Sequence, residues 1–219
     1  NNRLFSLTDC SYKFYSKGQT PKQQLQIEVN DETVNIEADL FIFCAGEGNQ
    51  ELISKAALSN IKAQERPLHM VYLRKSKLPK IYVHCIGNDF NLTPSVTVTS
   101  HRAQNGDVIW YLGGEIAESG INKSSGEQID AAQELMGNTF PWLNLSNARW
   151  ESFYINRSEA DIQSSFRPDD AVVKEEKNVL VAWPTKLTLV PSLADKVLEY
   201  ATGVRKRPPG KNIPTAELQ

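Results

Sequence analysis

Histidine, methionine and cysteine are scarce in this chain, at 3, 2 and 3 of 219 residues. Cys10, Cys44 and Cys85 are odd in number and far apart. That excludes a CxxC zinc or redox pair and argues against a disulfide framework, and so for a reducing compartment. His69 and His84 read as strand residues, far apart and without a cysteine or carboxylate at ligand spacing, so they give no metal signal. No apolar run approaches the roughly eighteen residues that span a bilayer. Charge of either sign is not in excess: 24 Lys and Arg face 26 Asp and Glu, a net of −2. This balance supplies no electrostatic case for nucleic acid or an anionic membrane. GxSxG, HExxH, a phosphate-cradling Walker loop, paired carboxylates and GxGxxG are all missing, which removes the chemistries those spacings serve. Trp110, Trp142, Trp150 and Trp183 are too scattered for a base-stacking platform and read as core or pocket wall.

The stretch ADLFIFCAGEGNQELISKAAL, residues 38–58, is the most informative one present. Leu40 to Phe43 are bulky and apolar, bounded by Ala45-Gly46, as in a strand buried on both faces. Cys44 then reads as a small core residue. Asn49 has the chemistry of an N-cap for a helix that uses Leu52, Ile53, Ala56 and Ala57. Upstream, Leu25, Ile27 and Val29 alternate with polar residues and turn at Asp31-Glu32 into Val34 and Ile36, a hairpin feeding the buried strand.

Further on, strands are expected at 68–73, 80–85, 95–99 and 108–112, the last two joined by the hairpin signal Asn105-Gly106-Asp107. Ser125 and Gln128 have capping-box spacing for a helix with Ile129, Ala132 and Leu135 on one face and Gly137 as terminator. More strands are expected at 148–155 and 178–183. A last helix runs from Pro191 to Ala201 and ends at Gly203. The sheet should form mainly from 67–113 and 148–183 under the 125–137 helix. Arg205-Lys206-Arg207 beside Pro208-Pro209-Gly210 reads as a solvated tail.

Four segments stand in the order found in one group of flavoenzymes. They are ADLFIFCAGEGN; Arg66-Pro67-Leu68 with the strand after it; the hairpin SHRAQNGDVIWYLGG at 100–114; and SFRPDD at 165–170 with NVLVAWPTKLTLVPSLADKVLEY at 178–200. The chain resembles the D-amino-acid oxidase, glycine oxidase and glycerol-3-phosphate dehydrogenase group. Lys186-Leu187-Thr188 matches that family's Gly-Gly-Lys-Leu-Thr-Thr loop, but Pro184-Thr185 stands where Gly-Gly is expected.

The resemblance implies an α+β fold: a mainly antiparallel substrate-domain sheet covered by helices, with a remnant of a three-layer domain that binds flavin adenine dinucleotide (FAD). It implies closing strands and a helix of the FAD-binding domain at 1–60, a substrate-binding sheet at 61–177, a strand, loop and helix returning to the first domain at 178–203, and a tail at 204–219. The implied activity is oxidation of a small anionic amine or alcohol by hydride transfer to FAD. FAD belongs to the intact protein and is not expected to be retained by this chain alone. The missing N-terminal part of the same protein, carrying GxGxxG, is the expected partner, together with the small anionic substrate. A cytoplasmic location is expected, with peripheral membrane association left open. The alternative is a flavin-free interaction module on a degenerate flavoprotein scaffold.

The implied cofactor contacts are Ala45, Gly46, Lys186, Leu187 and Thr188. A lysine and backbone N–H groups at a helix start suit the negative charge of reduced flavin; an ordinary strand–helix loop is the competing reading. Arg167 is the candidate for a substrate carboxylate or phosphate, gripped through two parallel hydrogen bonds, or else it pairs with Asp169, Asp170 or Glu159. Arg102 and Arg157 are further anion candidates. His101 has the chemistry of a base towards a substrate hydroxyl, or is structural. Arg167 and Lys186 are expected to share a cleft beside Ala45-Gly46.

Overall fold

A computed structural model describes residues 10–16, 22–87, 93–162 and 168–205. The chain divides into two compact units. One joins the residues up to Glu65 to those from Ser158 onward; the other is the continuous segment Arg66–Arg157.

In the first unit, β1 (Ser11–Ser16), β2 (Gln23–Val29) and β3 (Glu32–Glu37) form an antiparallel meander. The β2–β3 turn lies at Asn30-Asp31, one residue before the expected place. Both residues adopt positive φ, 49° and 62°, the twist-matched geometry of a two-residue hairpin that Asn and Asp tolerate. A second sheet has the order β10 (Val172–Glu176), β11 (Val179–Trp183), β4 (Phe41–Phe43). β10 and β11 are antiparallel, and β11 and β4 are parallel.

Here the burial expectation is corrected. β11, not β4, is the strand buried on both faces: all five of its residues are buried. Val179, Val181 and Trp183 pack with Phe43 and with Ile53 of α1 (Asn49–Lys55), while Ala182 packs with Leu193 of α4 (Val190–Arg205). β4 has a strand partner on one side only among the described residues, so Ile42 is 43% exposed and Cys44 is exposed rather than core. Asn178, in the β10–β11 turn, donates to the carbonyls of Gln23 and Ala38 and accepts from Gln23 N–H. Its backbone carbonyl accepts from Phe41 N–H at 2.9 Å, which sets the start of β4 against β11.

In the second unit a five-stranded sheet has the order β6 (Tyr82–Cys85), β7 (Val96–Arg102), β8 (Val108–Gly113), β5 (Ala63–Arg74), β9 (Arg149–Ala160). The neighbours β6–β7, β7–β8 and β8–β5 run antiparallel. The single sheet expected to include residues 172–183 is therefore not formed: β10 and β11 pair with each other and with β4. A short helix α2 (Glu115–Ser119) follows β8, unanticipated, and then comes α3 (Ser125–Thr139). α3 lays Ala132 and Met136 on Val71, Leu73, Val96, Val98, Trp110 and Leu112, the core of this unit. Alternation dictates this face: from His69 to Leu73 in β5 and from Trp110 to Leu112 in β8, every second residue is buried.

Helix ends also differ. The N-cap of α3 is Ser124, whose side chain accepts from Glu127 N–H while Glu127 reaches back to the Ser124 N–H. Ser125 is inside the helix. Neither Gly137 nor Gly203 stops its helix, because α3 runs to Thr139 and α4 to Arg205. Among the described residues, no helix is long and apolar enough to cross a membrane.

Candidate functional site

Parallel pairing sends two loops out of the same end of one sheet. Phe41, Ile42 and Phe43 stand opposite Val179, Leu180 and Val181. β4 therefore delivers Cys44 to Gly48, and β11 delivers Pro184 to Thr188, at neighbouring strand ends. Strand exits of this kind are where open α/β sheets seat ligands.

Ala45 and Gly46 are exposed. Gly46 has φ +59° and nothing within 4 Å of where a Cβ would sit, so the backbone lies bare to an approaching group. Lys186, Leu187 and Thr188 are also exposed, Leu187 at 87%. The loop is shaped by a tight turn, Lys186 N–H to Pro184 C=O at 2.6 Å, and by Leu189 N–H to Lys186 C=O at 2.9 Å. Thr185 has φ +61°, rare for a β-branched residue. The backbone thus keeps, at the place of an expected glycine, a conformation that glycine adopts without strain. The Thr185 hydroxyl is turned back and donates to the Asp170 carbonyl at 2.9 Å.

Asp170 is the fastener of this loop. Its carboxylate accepts from Lys196 Nζ at 2.6 Å, Ala171 N–H at 2.7 Å and Ser192 Oγ at 3.4 Å. It therefore ties the strand entering β10 to the first turns of α4. Lys196, and after it the Ala171 N–H, hold the carboxyl below its ordinary 3.8. A depressed carboxyl contributes stability above its unfolded pKa and loses it as pH falls through the folded value. Asp170→Asn is expected to lower the thermal midpoint at pH 7, with the gap from wild type closing as the pH drops below 3.8. A gap unchanged between pH 7 and pH 2.5 would remove Asp170 from this role.

The sequence signal missed Asn49. It is not an N-cap; that position is Gly48, and no side chain caps α1. Asn49 opens the helix with its side chain turned inward, 0% exposed. Its Oδ1 accepts from Ala45 N–H at 2.9 Å and its Nδ2 donates to the Ala182 carbonyl at 3.2 Å.

In the other unit, His101 and Arg102 end β7 and are exposed. The His101 ring meets Tyr111 edge-on at 4.7 Å, and its Nε2 is 3.3 Å from Thr99 Oγ1. Tyr111 stacks on Tyr72 at 5.5 Å, and Phe153 meets both rings. This aromatic patch is on the sheet face away from α3, the other side of the alternation. The Tyr72 hydroxyl donates to Glu151. That carboxylate, and then burial, raises the tyrosine's pKa; the same hydrogen bond, with Arg149 and Arg74, lowers that of Glu151. Arg157 is not free to meet an anion unaided, since its guanidinium pairs with Glu118 at 3.0 Å. His69 is fully buried between the Gly120 carbonyl at 2.9 Å and Ser152 Oγ at 3.0 Å, under the Tyr154 ring. Arg167 lies outside the described residues, so its expected cleft with Lys186 is not described. No group of three or more His, Cys, Asp or Glu among the described residues could hold a metal ion.

No family model matches the chain. A curated protein of Pseudomonas aeruginosa, described as a probable FAD-dependent oxidoreductase, is 38% identical to it over 163 residues, 74% of this chain and 41% of that protein. The chain thus spans less than half the length of this relative. The crystal structure of the FAD-dependent oxidoreductase from Pseudomonas aeruginosa aligns with a TM-score of 0.77 at 32% identity, over 93% of this chain and 55% of that one. An aromatic hydroxylase from angucycline biosynthesis aligns at a TM-score of 0.46 and 14% identity, over 90% of this chain and 40% of its own, a likeness too distant to inform the chemistry.

Proposed function

We propose that the chain is part of a flavin-dependent oxidoreductase that oxidises a small anionic amine or alcohol, of the amino-acid or glycerol-3-phosphate kind, in the D-amino-acid oxidase, glycine oxidase and glycerol-3-phosphate dehydrogenase group. The parallel pairing of β4 with β11 carries this reading, because it brings the Ala45-Gly46 and Lys186-Leu187-Thr188 loops out of one sheet end. Homology to the Pseudomonas protein supports it. The residues present fit one wall of a flavin site: a bare Gly46 backbone and an exposed lysine preceding α4. FAD, when bound, supplies the acceptor for the substrate's hydride.

Lys186, exposed just ahead of α4, and the positive end of that helix favour negative charge beside them. Arg102 is the exposed guanidinium available to a carboxylate or phosphate. His101 accepts a proton at its imidazole from a substrate hydroxyl or ammonium. Arg157 serves only by exchanging Glu118 for the substrate. Arg167 stands as the Arg-Pro anion candidate on its sequence context. The partner is the earlier part of the same protein with its glycine-rich turn, and the outer edge of β4, where Ile42 is 43% exposed, is where it adds. Pro184-Thr185 favours a second reading, a flavin-free interaction module.

A visible spectrum separates the two. The longer protein should carry about one equivalent of flavin, bleached anaerobically by a D-amino acid, glycine or glycerol 3-phosphate. The 219-residue chain, incubated with FAD and gel-filtered, should be colourless, because no pyrophosphate-cradling GxGxxG lies within it. A colourless longer protein would sink the oxidoreductase reading, and a flavin band retained by the chain alone would sink the partition.

A further inference from the structure

The geometry points to Asn49 as a positioning residue for the flavin, a clamp that holds the two candidate cofactor loops at fixed spacing; this rests on the flavin reading above. The β4–β11 ladder has its last Cα partners at Phe43 and Val181. Beyond that pair the chains must part, one towards α1 and the other towards α4. Asn49 Oδ1 accepts from the Ala45 N–H at 2.9 Å and Nδ2 donates to the Ala182 carbonyl at 3.2 Å. The amide is thus one further rung, built from a side chain, that links the two strands where they leave the sheet. Ala45 is itself a candidate flavin contact, and Ala182 lies four residues before Lys186.

The Asn49 side chain is 0% exposed, so both of its bonds are made from inside the protein. An amide suits the position because one partner is a donor and the other an acceptor. A carboxylate keeps the Ala45 bond but sets a negative oxygen against the Ala182 carbonyl. A protonated carboxyl, with one donor and one acceptor, restores both. Asparagine was not chosen here for helix capping, since the cap position is Gly48 and α1 has no side-chain cap.

The test uses the longer protein with Asn49→Asp and Asn49→Ala. Three quantities are followed: the FAD dissociation constant by flavin fluorescence, the bound flavin's absorption maximum, and the thermal midpoint of the apoprotein. Asn49→Asp is expected to weaken FAD on the order of tenfold at pH 8 and to recover towards wild type near pH 5, while Asn49→Ala is weakened at both. The recovery on acidification separates a clamp from a mere loss of stability, which acid would deepen. Hydrogen exchange should show residues 44–48 and 183–188 opening together in Asn49→Asp at pH 8. Folded variants with wild-type FAD affinity and spectrum overturn the clamp and leave the flavin reading standing. A lowered midpoint with unchanged affinity of the folded fraction also overturns it. A longer wild-type protein without flavin overturns both.

Discussion

Trp110→Ala is expected to cost the 66–157 unit about 3–5 kcal/mol, the range for deleting a large buried aromatic. Trp110 is 0% exposed on the α3 side of β8, in one cluster with Ala132 and Met136, with Phe140 6.3 Å away between ring centroids. Two effects add. Truncation opens a cavity that helix and sheet can collapse into only partly. It also removes the indole N–H that donates to the Pro79 carbonyl at 2.8 Å. Trp110→Phe keeps most of the volume and isolates the second effect, worth about 1 kcal/mol. Urea unfolding followed by far-ultraviolet circular dichroism measures both. A loss under about 1 kcal/mol for the alanine variant would mean that the β8 core is not assembled as described.

Gly120→Ala should be nearly as damaging, although it adds one methyl group at an ordinary negative φ. A Cβ there would sit 2.3 Å from Gln128 side-chain atoms. Gln128 is 0% exposed, and its Nε2 donates to the carbonyls of His69 and Ile116 at 2.8 and 2.9 Å. To admit the methyl group the amide must leave, and two buried carbonyls lose a donor, at about 2–4 kcal/mol together. The same displacement loosens the bond between the Gly120 carbonyl and His69. A double-mutant cycle decides whether this is the mechanism. Gln128→Ala should cost at least about 1 kcal/mol less in the Gly120→Ala background than in wild type. Additive losses would show that the two sites do not share the damage.

Local patterns made the strands of the second unit and the helix α3 legible. Alternation and the Asn105-Gly106-Asp107 turn are properties of neighbours in sequence. The cap of α3 was misplaced by one because Ser124–Glu127 and Ser125–Gln128 both satisfy the capping spacing. Only burial of Gln128 under Gly120 decides between them. Which of two apolar strands is central was not legible. β4 and β11 look alike, and the difference lies in what packs on them from elsewhere in the chain. Asn49 was misread for the same reason. Its partner Ala182 is 133 residues away, and nothing local distinguishes an inward amide from a cap. The positive φ of Thr185 was hidden behind a residue type that disfavours it. His69 looked like one more strand residue, whereas its two ring nitrogens are fixed by Gly120 and Ser152.

The second unit enters through β5 and leaves through β9, and these strands are neighbours in one sheet. At their outer ends the Asp161 N–H donates to the Lys62 carbonyl at 2.9 Å. Departure and return thus occur side by side, as in a detour that rejoins the road where it left. In evolutionary terms the 66–157 segment is a cassette. With entry and exit side by side, a change of length inside it leaves the points where the chain departs and returns in place.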